Sequence, residues 1–414
     1  MTDSNALYIP DEIDCRTCNI CVGNCPTFKI SRDSNESPRG RLKLISKVFH
    51  NEESLTEEEL SHLKSCVECR ACESVCPSKM KYSKLLNTSL NRIEETEISP
   101  LIRALLYVTS DRKRLVQLFS TLRQSQRWGL QTLAKRLGLF KVAIPEQLND
   151  LLPTIPKIEK FQERYPAKGK RLGSVGLFTG CLSSVLDSPT LKASIKVVNH
   201  LGYDVHIPKA QQCCGALHQH NNDKPTADKL AETNIAAFKA LDIEAVLFTA
   251  SGCGTPLKKY PRRKLTELTK ENAEEFSSKA TDINEFIAGK LEHAKLKLMS
   301  LNKKVAVHEP CSQRFPLGTQ QYAHTFLEKI PGIELFPLPE NNICCGAGGS
   351  YMITHPENSD AIRQLKINAL EETQADILVT SNIGCSLHLV SGIKKDNKQV
   401  TVAHPVEILA QQLS

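Results

Sequence analysis

The sequence predicts an α+β multidomain chain: an N-terminal α-helical cysteine-rich module, a helical linker, then two α/β cysteine-rich repeats. Three observations predict it. Eight of the 16 cysteines fall in two copies of one short spacing before residue 80. Apolar residues between and after those copies recur at helical intervals, with no alternating strand pattern. The other eight cysteines lie in two copies of a longer pattern built on short apolar runs, as buried parallel strands are.

The N-terminal module carries the strongest signal. Cys15, Cys18, Cys21 and Cys25-Pro26 form one run; Cys66, Cys69, Cys72 and Cys76-Pro77 form the other. Each reads C-x2-C-x2-C-x3-C-P, the bacterial ferredoxin-type signature whose fourth cysteine serves the other cluster. Three thiolates at i, i+3 and i+6 let one loop wrap three corners of an iron–sulfur cube. The proline fixes φ and turns the fourth thiol away. One [4Fe-4S] cluster is therefore expected on Cys15, Cys18, Cys21 and Cys76, a second on Cys25, Cys66, Cys69 and Cys72. Structural zinc prefers separated C-x2-C pairs, which a triple followed by Cys-Pro does not suit. Between the runs, Leu42, Ile45 and Phe49 keep helical spacing, and Thr56 with Glu59 makes a capping box. Arg16, Arg70 and Lys79 stand beside cluster cysteines as candidate charges that raise reduction potentials.

The expected domains are 1–97 for the two-cluster module, 98–170 for a basic helical linker, 171–300 for the first cysteine-rich repeat and 301–414 for the second. In the linker, Leu101, Leu105 and Val108, then Leu115, Phe119 and Leu122, then Leu130, Leu133 and Leu137, make three amphipathic stripes. Between Arg103 and Lys141 stand nine Lys/Arg and one acid, Asp111. Peripheral membrane or partner contact through 100–142 is one reading; a connector packing its apolar face on its own domains is the other. Pro145, Pro153, Pro156 and Pro166 mark an extended linker beyond it.

The repeats show as offsets. Cys181, Cys213-Cys214-Gly215 and Cys253 recur as Cys311, Cys344-Cys345-Gly346 and Cys385, displaced by 130, 131 and 132 positions. Apolar runs at 174–179, 245–249, 304–308 and 376–380 precede the single cysteines, and shorter extended segments at 204–208 and 333–337 precede the pairs. Helical segments at 191–201 and 228–241 lie between. In an open α/β sheet ligands gather at the carboxyl ends of strands, so three loops of each repeat should converge. Cys181, Cys213, Cys214, Cys253, Cys311, Cys344, Cys345 and Cys385 are thus candidates for a further cluster or metal, against buried thiols or a vicinal disulfide. Gly215 and Gly346 should permit an unusual turn. The stretch 346–349 lacks the lysine of a phosphate-binding loop. His218, His220, His308 and His388 are candidate ligands or proton carriers, though each taken singly reads as an ordinary histidine. No catalytic constellation is found in the sequence.

Composition sets outer bounds. With 414 residues, 40% of them apolar, the chain can bury a core without covalent staples. A net charge of +7 with 5% aromatics and no recognition motif argues against nucleic acid. With no secretory pattern near Met1, the cysteines read as thiols of a reducing cytoplasm. No apolar run reaches 18 residues, so no membrane-spanning helix is expected.

Two ferredoxin-type runs, a basic helical connector and two Cys-Cys-Gly repeats together resemble the iron–sulfur subunit of bacterial glycolate oxidase. The likeness spans nearly the whole chain and is strongest at 37–42 (SPRGRL), 249–254 (TASGCG), 344–354 (CCGAGGSYMIT) and 380–385 (TSNIGC). It implies an electron-transfer subunit beside flavoprotein subunits that oxidise glycolate to glyoxylate. FAD would sit on those partners only, and the acceptor would be a membrane quinone or another membrane acceptor, on the cytoplasmic face of the inner membrane. Related subunits serve lactate and glycerol-3-phosphate oxidation. The repeats also resemble heterodisulfide reductase catalytic subunits, whose repeats end in C-x2-C. Here Pro256 and His388 stand where the last cysteine would be, so a five-cysteine cluster is not expected.

Overall fold

The computed structural model describes residues 15, 18–50, 54–93, 98–129, 153–294 and 296–414. The third linker stripe and Pro145 lie outside them.

The N-terminal module is helical. Helices Pro38–His50, Glu57–Lys64 and Tyr82–Arg92 enclose a small core of Leu44, Ile45, Phe49, Leu63, Tyr82, Leu85 and Leu86. The expected capping box starts the second of these: Thr56 Oγ1 accepts from the Glu59 amide at 3.2 Å and the Glu59 carboxylate from the Thr56 amide at 3.1 Å.

Two linker helices follow, Pro100–Thr109 and Arg112–Arg127, capped by Ser99 and Asp111. Leu115 and Phe119 bury against Ile155 and Val185, and Arg112 donates to Thr179 Oγ1 at 3.1 Å. This face packs on the first repeat. Leu101, Tyr107, Leu118 and Trp128 stay exposed outside this face.

The first repeat is a sheet of β1 (Arg164–Tyr165), β2 (Gly173–Phe178), β3 (Tyr203–His206), β4 (Ala245–Phe248) and β5 (Ala280–Asp282), in the order β1-β3-β2-β4-β5. All neighbours are parallel except β1 with β3, and Val175 of β2 lies opposite Val205 and Ala245. The second repeat has β6 (Lys304–His308), β7 (Glu334–Pro337), β8 (Ile377–Thr380) and β9 (Thr401–Ala403), all parallel, in the order β7-β6-β8-β9. The central strands β2, β4, β6 and β8 are continuous apolar runs because helices cover both faces.

The repeats are not two separate bodies. One apolar core contains Val175, Leu177 and Leu247 of the first together with Val305, Val307 and Val379 of the second. Helix Ser188–His200 packs on Pro405–Gln412, and helix Ile283–Leu291 on Gln321–Leu327. Each repeat's last helix therefore packs on an early helix of the other. Among the described residues, no helix is long and apolar enough to cross a membrane.

Candidate iron–sulfur and thiol centres

Local backbone folds each ferredoxin-type run. Asn19 (φ 59°) precedes helix Ile20–Gly23, and Arg70 (φ 63°) precedes Ala71–Val75. These left-handed turns bend the chain between consecutive cysteines. Cys25 caps helix Pro26–Ser31 with Pro26 in its first turn, which directs the fourth thiol of that run elsewhere.

The thiols line two concavities. Cys25 joins Cys66, Cys69 and Cys72 in one. Cys76 joins Cys15, Cys18 and Cys21 in the other, with Cys72 also on its wall. In each, the thiol from the opposite run completes the set. Burial pushes the Cys21 thiol up to about 11, with Cys15, Cys18 and Cys76 adding to it. Burial also raises Cys66 to about 11, against the pull of Arg41. Cys72 is raised by burial and by the charges of Cys66 and Cys25. Thiols crowded this way ionise together only beside a compensating cation, which an iron core supplies. Both donor sets therefore fit a [4Fe-4S] cluster.

One buried charge beside the thiols escaped sequence reading. Arg41 is fully buried on the wall of the first concavity. It pairs with the Glu36 carboxylate and donates to the His62 carbonyl at 2.6 Å, Ser65 Oγ at 2.8 Å and Thr27 Oγ1 at 3.0 Å. Its Nη1 stands 3.9 Å from Cys25 Sγ. Burial opposes its charge, but Cys66, Tyr82, Cys25 and Glu36 outweigh burial and hold the guanidinium protonated. The signal was present: Arg41 lies four and eight positions before Ile45 and Phe49, on the buried stripe. Of the residues nominated from sequence, Arg70 is half-buried, Lys79 is exposed and Arg16 lies outside the described residues.

In the repeats, the three strand-end loops of each sheet converge. Cys181 follows β2, Cys213-Cys214 follow β3, and Cys253 sits in helix Ser251–Leu257 beyond β4. Cys311, Cys344-Cys345 and Cys385 repeat this beyond β6, β7 and β8. Gly215 (φ 83°) and Gly346 (φ 88°) supply the turn after each pair. The thiols form chains in the same order: Cys181, Cys213, Cys214, Cys253, and Cys311, Cys344, Cys345, Cys385. In the second, Cys311 and Cys344 sulfurs stand 3.9 Å apart and those of Cys345 and Cys385 2.9 Å. Hydrogen bonds from Cys213 and Cys253 pull Cys214 down, and those from Cys311 and Cys345 pull Cys344 down. None of the 16 cysteines is joined in a disulfide. Asn382 links the two chains: its Oδ1 accepts from the Gly252 amide at 3.2 Å and its Nδ2 donates to Cys385 Sγ at 3.3 Å.

The histidines divide. His218 Nε2 bonds the Leu106 carbonyl at 3.1 Å, His220 faces Glu68 at 3.6 Å, and His388 Nε2 bonds Ser359 Oγ at 3.1 Å. His308 is buried beside thiols instead: its donor atom and the sulfurs of Cys345 and Cys385 all lie within 4.8 Å of one another.

The ferredoxin-type module docks on this second thiol chain. Val67 packs with Cys344, Tyr351 and Ile362, with Cys69 and Cys311 at the edge of the same cluster. The glycine-rich stretch serves that approach rather than a phosphate. A Cβ on Gly348 (φ +49°) would stand 2.8 Å from Val67 Cγ2.

Comparison with known proteins agrees with this arrangement. Residues 14–81 match the 4Fe-4S dicluster domain, and residues 175–258 and 305–390 match the cysteine-rich domain with the Cys-Cys-Gly signature. Fold and sites thus define a dicluster iron–sulfur protein with tandem cysteine-rich domains. A probable glycolate oxidase iron–sulfur subunit of Bacillus subtilis is 32% identical over 96% of this chain and 93% of its own length. The glycolate oxidase iron–sulfur subunit of Escherichia coli gives the same figures, 32%, 96% and 93%. Lactate utilization protein A of Bacillus velezensis is 28% identical over 57% of this chain and 98% of itself. The chain belongs to the glycolate oxidase iron–sulfur subunit family. It is an iron–sulfur electron-transfer subunit of an oxidase.

Proposed function

We infer that the chain relays electrons from flavoprotein partner subunits, which oxidise glycolate, toward a membrane quinone or another membrane acceptor. The carrying observation is the contact of Val67 and Cys69 with Cys344 and Cys311. It sets a module concavity against the thiols of the second repeat, so the candidate centres run through one continuous body. Bound iron–sulfur clusters supply one-electron transfer. The chain's own residues hold them: Cys25, Cys66, Cys69 and Cys72 in one set, Cys15, Cys18, Cys21 and Cys76 in the other. Arg41 places a fixed positive charge beside Cys25, which favours the reduced, more negative state. Val67, Tyr351 and Ile362 keep water from the junction. The exposed Leu101, Tyr107, Leu118 and Trp128, beside the exposed Arg103, Lys113 and Arg114, support contact between the linker and a partner or an anionic membrane.

The test is anaerobic reconstitution with the flavoprotein subunits. Glycolate should produce the EPR signals of reduced [4Fe-4S] clusters only when those subunits are present. Reduction by lactate or glycerol 3-phosphate alone would reassign the substrate. Glycolate oxidation by the isolated chain would move catalysis here, and a preparation without acid-labile sulfide would end the relay reading.

A further inference from the structure

We propose that His308 is a metal ligand, its Nε2 joining the Cys345 and Cys385 thiolates on one metal ion in the second repeat. The proposal rests on the reading of that repeat as a metal-holding site and adds a nitrogen donor to it.

The geometry has four parts. First, His308 is 2% exposed and its Nε2 has no hydrogen-bond partner. A buried polar atom left unpaired is costly, and a metal ion would satisfy it. Second, Nδ1 stands 2.8 Å from Thr380 Oγ1 on the neighbouring strand. When Nδ1–H donates to that hydroxyl, Nε2 presents its lone pair, the usual way an outer-shell partner orients a ligating imidazole. Third, a ring nitrogen of His308 and the sulfurs of Cys345 and Cys385 lie within 4.8 Å of one another, and no other trio of His, Cys, Asp or Glu side chains among the described residues does so. Metal–sulfur bonds of about 2.3 Å and metal–nitrogen bonds of about 2.0–2.1 Å put tetrahedral donors roughly 3.5–3.8 Å apart. Donors this close can share one ion once the two sulfurs, 2.9 Å apart, spread slightly around it, whereas the corner thiolates of a cube each take a different iron. Fourth, His218 and His388 also keep an unpaired ring nitrogen, yet neither belongs to such a trio.

The first repeat supplies an internal control. At the offset of 130 that relates Cys181 to Cys311, the residue matching His308 is Phe178. Phe178 is 2% exposed and packs among Cys213, Cys214 and Phe248. Thiols of the first repeat therefore neighbour an apolar ring, and those of the second an imidazole. The two repeats are built to hold different contents.

The donor set suits a single zinc or iron ion. Elemental analysis with X-ray absorption at both metal edges, on anaerobically purified full chain, distinguishes them. His308→Phe, which copies the first repeat, should strip the second-repeat metal while the EPR signals of the N-terminal clusters persist. His308→Cys should keep the metal and lose nitrogen from its coordination shell. Thr380→Val should keep the nitrogen and weaken retention against a chelator by about 10–100-fold. If His308→Phe keeps the metal and spectrum that Cys385→Ser loses, the thiol site stands and the imidazole ligand falls. If the wild type holds no metal beyond its N-terminal clusters, both fall.

Discussion

The Tyr351 hydroxyl donates to the Ser65 carbonyl at 2.9 Å, tying the second repeat to the residue just before Cys66. The two partners are 286 positions apart. Lys29 with Glu340, and Asn342 with Asn24 at 3.1 Å, reinforce the same junction. Tyr351→Phe should cost about 0.5–1.5 kcal/mol in anaerobic denaturant unfolding, the usual worth of one such bond. Its iron content should match wild type. An unchanged midpoint would show that the junction does not depend on this bond.

Ligand sharing between the two runs has a sharp test. Cys25→Ser combined with Cys66→Ser should damage one cluster only and leave about four irons in the module. If each run held its own cluster, the same pair would damage both. Iron and sulfide analysis of the double variant separates the two arrangements.

Arg41→Gln removes a charge from a buried network. Loss of the pair with Glu36 should cost about 3–5 kcal/mol, because a largely buried carboxylate loses its guanidinium and keeps only His62 and Ser65 as partners. The cluster beside Cys25 should also become harder to reduce. EPR-monitored titration reads this directly; an unshifted midpoint in folded protein would make Arg41 purely structural.

Gly348→Ala should loosen the module from the second repeat. The position has φ +49°, and a Cβ would crowd Val67 and the Tyr351 Cβ, the latter at 2.6 Å. A loss of about 1 kcal/mol or more is expected from the backbone alone. Gly349→Ala is the control, since its nearest contact would be Leu217 at 3.4 Å. Equal losses would mean that backbone strain, not contact with Val67, dominates.

Asp282 gives stability a pH dependence. It caps helix Ile283–Leu291 and accepts from Gln313 Nε2 at 3.1 Å and Thr319 Oγ1 at 2.9 Å in the second repeat. Burial nevertheless raises its carboxyl to about 6. The folded value lies above the usual one of about 3.9, so its contribution is full below that value and lost as pH rises through about 6. Between pH 5 and pH 7 wild type should lose about 1 kcal/mol relative to Asp282→Asn. A gap independent of pH would contradict this.

What sequence could reveal followed local pattern. β2, β4, β6 and β8 were legible because buried parallel strands are unbroken apolar runs. The edge strands β1, β5 and β9, of two or three residues, carry too little pattern to see. The cysteines announced their chemistry through spacing. Arg41 and His308 did not, because a single polar residue in an apolar stretch gains meaning only from what tertiary packing sets beside it. The register of the repeats held a partial clue in the pairing of Phe178 with His308. The common core was not legible at all, since no local signal tells whether an apolar helix face covers its own sheet or a neighbour's.

That mutual covering of helices bears on ancestry and on engineering. A lone copy of either half would leave a broad greasy flank open to water, and the cheapest remedy is to pair with its twin. The present molecule has the architecture that gene fusion leaves when a two-fold homodimer becomes one polypeptide. Cutting the halves at the seam should yield fragments that fold only when mixed.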